Sequence, residues 1–172
     1  AAPATRQLAL ETLANTTLTA APAGWLDALG TLLPQATLAE LPLLTAAAEH
    51  LPRPKDGHPA LQQALASIAA RMDLPDTLRL SAIDAAGGGQ PLPESTFSLL
   101  CSSLQLDLPA DQRGIAARRL ASATLTSDQM QALIPLARSV GPMELPKLLP
   151  AFEQHADESR GMALLTALTE SQ

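Results

Sequence analysis

The 172-residue sequence is poor in the residues from which sheets are built. It has no tyrosine, its aromatics are Trp25, Phe97 and Phe152, and Val140 is its one valine. Strands draw on β-branched and aromatic side chains, whereas Ala and Leu, which dominate here, head the helix scale. A sheet is thereby excluded and an all-α chain expected. One cysteine, Cys101, excludes an intramolecular disulfide. Basic residues are few, 11 against 17 acidic ones, and thinly spread, which disfavours a nucleic-acid groove. No uninterrupted apolar run nears the 18 or so residues of a membrane span. The opening Ala1-Ala2-Pro3-Ala4 carries no initiator Met and no signal-peptide core, and reads as the start of a trimmed piece of something longer.

What the chain does contain is repetition. Asp73-Leu74-Pro75 with Arg79 returns 34 positions later as Asp107-Leu108-Pro109 with Arg113, and the same step reaches Lys147. A second match lays Glu40-Leu41-Pro42 through Glu49 over Glu144-Leu145-Pro146 through Glu153, with six of ten positions identical at an offset of 104. Ala28, Leu29 and Leu32 then fall on Ala132, Leu133 and Leu136. Upstream, Arg6, Leu13 and Ala14 fall on Arg113, Leu120 and Ala121 at an offset of 107. Each Asp-Leu-Pro segment suggests a helix start, the Asp capping and the Pro in the first turn.

Between these markers the apolar residues recur with helical spacing, as in Phe97, Leu100, Cys101 and Leu104. The pattern predicts helices near 4–15, 23–33, 38–50, 59–72, 76–87, 93–106, 110–122, 127–140, 143–154 and 157–169. Short connections imply antiparallel neighbours. The expected architecture is one domain over residues 1–172, an α-α superhelix of about five antiparallel helix pairs.

Asp76-Thr77-Leu78-Arg79-Leu80-Ser81-Ala82 resembles the second helix of HEAT-like repeats, which opens Asp-x-x-Arg-x-x-Ala, and Pro135 sits where the kink of a first helix would be. The run Val140-Gly141-Pro142-Met143-Glu144-Leu145-Pro146 through Glu153 also resembles the HEAT region of large bacterial proteins. In those, a sugar-dehydrogenase-like propeller precedes the repeats and a c-type haem domain follows. That likeness implies a spacer between redox modules of an exported protein. It implies no haem site here, because Cys101 is followed by Ser102 and Ser103 rather than by the rest of C-x-x-C-H.

Residues able to carry chemistry have quieter readings. Cys101 lies on the apolar stripe of its helix, as a small hydrophobe would. His50, His58 and Asp56 match no zinc spacing, and the histidines suit helix C-terminal ends. Gly87-Gly88-Gly89 lacks the Lys-Ser/Thr pair of a phosphate loop and reads as a flexible connector. Trp25 reads as an anchor against a neighbouring helix pair. An exposed Trp25 would instead mark a docking site. Arg79, Arg113 and Lys147, one per repeat, form a basic ladder. It either ties consecutive repeats through Asp–Arg contacts, the favoured reading, or grips an acidic partner.

No catalytic, cofactor or metal site is assigned. The expected role is a scaffold, spacer or protein-interaction module, with a protein partner or flanking domains as its contacts. The alternative is a HEAT-fold enzyme or cofactor-handling domain with a site in its concave groove.

Overall fold

A computed structural model of the chain describes residues 3–15, 18–52, 54, 57–154 and 158–169. All ten expected helices form, and among the described residues there is no strand. Residues 1–172, read from the sequence as one domain, divide into two compact units, Ala1–Gly87 and Gly88–Gln172.

The first unit holds α1 (Pro3–Ala14), α2 (Ala23–Leu32), α3 (Leu41–His50), α4 (Pro59–Ala70) and α5 (Asp76–Ala86), with a 3₁₀ turn over Leu33–Gln35. Helices pack mainly on the next but one: α1 on α3, α3 on α5 and α2 on α4, with α4 also against α5. Leu26, Leu29 and Leu33, at i, i+3 and i+7, bury one face of α2 and its following turn. Leu61, Leu65 and Ile68 do the same for α4. The two helices approach closely because Gly30 has no side chain; a Cβ there would lie 3.3 Å from the Ala60 and Leu61 backbone.

The second unit holds α6 (Glu94–Ser102), α7 (Ala110–Ser122), α8 (Ser127–Leu136), α9 (Leu145–Glu153) and α10 (Glu158–Thr169). Here α7 packs on α9 and α8 on α10, while α6 lies against both α7 and α8. The inner face of α7 is built from small residues, Gly114, Ala116 and Ala117, with Leu120 fully buried.

The sequence repeat recurs as repeated local structure. Helices α1 and α7 start 107 residues apart, and α2/α8 and α3/α9 both start 104 apart. Burial follows the same register, with Leu26, Leu29 and Leu33 matched by Met130, Leu133 and Ala137. The entries to α3 and α9 share one turn. Glu40 and Leu41 donate to Thr37 O, and Glu144 and Leu145 donate to Gly141 O, all at 3.0–3.1 Å.

Three expectations about helix ends are corrected. The Asp of Asp-Leu-Pro does not cap; the proline itself is the N-cap, at Pro75 and Pro109 as well as Pro22 and Pro93. Its fixed φ with ψ of 134–148° is already the extended entry a helix needs, and its carbonyl accepts the first helical bonds. Asp73 instead pairs with Arg71, Nη2 to Oδ2 at 2.6 Å. Second, α8 ends at Leu136 rather than 140, with Pro135 inside its last turn; Ala137, Arg138 and Ser139 continue in tight i→i−3 turns. Third, α3 starts at Leu41 rather than 38: Leu41 N–H already bonds Thr37 O, but Pro42 has no N–H to carry the ladder back another residue.

The Gly87-Gly88-Gly89 segment is ordered by hydrogen bonds, in place of the flexible connector expected. Gly89, at φ +82°, donates to Ser122 O at 2.7 Å. Thr124 donates to Gln90 O, and Pro91 and Thr124 form a parallel bridge. Gly89 serves here because the conformation is one that other residues rarely adopt.

Helix α8 opens with a reciprocal capping box between Thr126 and Gln129. Gln129 is 4% exposed and also donates from Nε2 to Leu92 O at 3.0 Å, at the foot of α6. Losing a buried hydrogen-bonding group that serves two elements costs about 1–3 kcal/mol, and losing a cap hydroxyl alone about 1 kcal/mol. Urea unfolding should therefore rank Gln129→Ala as more destabilising than Thr126→Ala. Equal and negligible losses would contradict this assignment.

Candidate interaction surfaces

The three basic residues that recur in the sequence occupy different environments. Arg79 is buried, at 4% exposure. Its Nε donates to Ala69 O at 2.9 Å, in the last turn of α4, and its Nη1 meets Asp76 Oδ1 at 2.9 Å one turn back in α5. The guanidinium thus supplies a donor to one of the carbonyls that every helix end leaves over. The inter-helix tie runs from Arg79 to a carbonyl, while the Asp76 contact stays within one helix.

Arg113 repeats this at the start of α7. Its Nη1 donates to Leu106 O and Leu108 O in the connector from α6. Its Nε lies 3.5 Å from Glu144 Oε2, whose side chain is only 2% exposed. Neither of those two atoms has a hydrogen-bond partner, so the contact between α7 and the entry of α9 is an ion pair held by charge alone. Gly141 makes room for it: a Cβ there would sit 2.3 Å from Glu144 Oε2. Breaking such a pair on one side leaves an uncompensated charge, which is why buried pairs resist substitution. In the first copy the equivalent Glu40 accepts from the Thr37 hydroxyl.

Lys147 is exposed. With Arg118, Arg119, Ala121, Ser122 and Pro150 it lines an open groove of about 470 Å³ on α7 and α9. Two members of the sequence ladder are therefore internal ties, and the third belongs to a cationic surface whose other charges come from α7.

An apolar groove of about 550 Å³ lies between α1 and α2 in the first unit. Leu8 and Leu13 form one wall, Trp25, Ala28 and Leu32 the other, and Leu10 and Leu29 lie at its base. Leu8 is 64% exposed and Trp25 38%. Trp25 is thus not an anchor packed between helix pairs; it presents its ring to the groove. Its exposure could not be read from spacing, because helical periodicity gives a face but not what covers it.

His58 is the N-cap of α4, the opposite helix end from the one expected. Its Nδ1 accepts from Leu61 N–H and its Nε2 lies 3.1 Å from Asp27 Oδ1. His50 closes α3; Asp56 and His155 lie outside the described residues. Among the described residues, no group of three His, Cys, Asp or Glu side chains is placed to hold a metal. No helix of the described residues is long and apolar enough to cross a membrane.

The chain matches no protein-family model, no curated protein and no solved structure.

Cys101, on α6, has its thiol pushed up from 9.0 to about 12, chiefly by burial and secondarily by the Glu94 carboxylate. The folded chain therefore holds this proton more tightly than the unfolded chain. The contribution to stability is fully present below pH 9.0 and is lost as the pH rises toward about 12. Alkylation by iodoacetamide at pH 8 should be far slower in the folded chain than in denaturant. A folded-state rate equal to the unfolded one would show an open, ionisable thiol.

Proposed function

We propose that this chain is a non-catalytic helical-repeat scaffold and interaction module, built from HEAT-like helix pairs, that works by presenting surfaces to a protein partner or to flanking domains. The observation that carries this reading is the apolar groove between α1 and α2. It exposes large apolar side chains, including the sole tryptophan, at the edge of helices that otherwise bury theirs against the next but one. Exposed apolar surface of this kind costs solvation free energy unless something covers it.

The buried polar groups support a scaffold as well. Arg79, Gln129 and Glu144 each serve a helix end or an inter-helix tie. A spacer between redox modules, as the C-terminal resemblance implies, would use the same stacking.

Selection of a displayed library of random peptides on the full chain tests this reading. The expected ligands are apolar or amphipathic sequences, lost when Ala28→Arg fills the groove. Absence of selected ligands, or ligands indifferent to that substitution, would contradict it.

A further inference from the structure

We draw no further inference here: the strongest candidate, the part-exposed apolar face of α9 formed by Leu145, Leu149 and Phe152, whose counterparts Leu41, Thr45 and Ala48 on α3 are fully buried, carries none because nothing in the structure shows what covers it.

Discussion

Short helices joined by tight connectors leave many backbone carbonyls without partners, and the structure depends on how those carbonyls are met. A helix of nine to thirteen residues has four such groups at its C-terminal end, a large share of its length. Arg79 and Arg113 answer this at the same place in the repeat, one turn into a helix whose N-cap is proline. Each reaches back to a carbonyl of the preceding helix end or connector. A guanidinium suits the task because its donors are fixed in a planar fork and its charge persists at any ordinary pH. Proline N-caps are part of the same arrangement. They set the entry backbone without a capping side chain and leave the arginine free to serve the neighbouring helix.

The copies have diverged around this shared frame in chemically legible ways. At the entry to α3, Glu40 is bonded to Thr37; at the entry to α9, Gly141 replaces that threonine and Glu144 turns to Arg113. On α2, Trp25 stands where Gln129 caps α8 and holds α6. The position that closes the second unit against its own helix leaves the first unit with an apolar wall. Surface and core are therefore variations at the same repeat positions, which is how an array can keep its stacking while its contacts change.

Much of this could be read from the residues. Composition excluded a sheet, and periodicity with proline placed all ten helices, because a helix's inner face and its start are both local properties. Helix ends were less legible. Thr37, Pro135 and the serines after Leu99 act through turns whose geometry depends on particular side-chain bonds. The basic ladder was visible as a spacing, yet spacing does not distinguish a buried arginine from an exposed lysine. The groove at Trp25 was invisible for the same reason, since sequence patterns record faces rather than their covers. The glycine segment after Ala86 misled because glycine permits both a flexible link and the fixed left-handed turn found here.

The claim that an internal arginine ties α5 to the end of α4 can be tested on Arg79. Removing the buried guanidinium leaves the Ala69 carbonyl without its donor, which costs about 1–3 kcal/mol, whereas a change at an exposed charge stays within about 0.5 kcal/mol. Chemical denaturation of Arg79→Met and Lys147→Met, measured side by side, should show a loss of the first size for Arg79 and of the second for Lys147. Amide exchange should quicken first at the C-terminal end of α4. If Arg79→Met proved as harmless as Lys147→Met, the carbonyl tie would not be what holds the helices together.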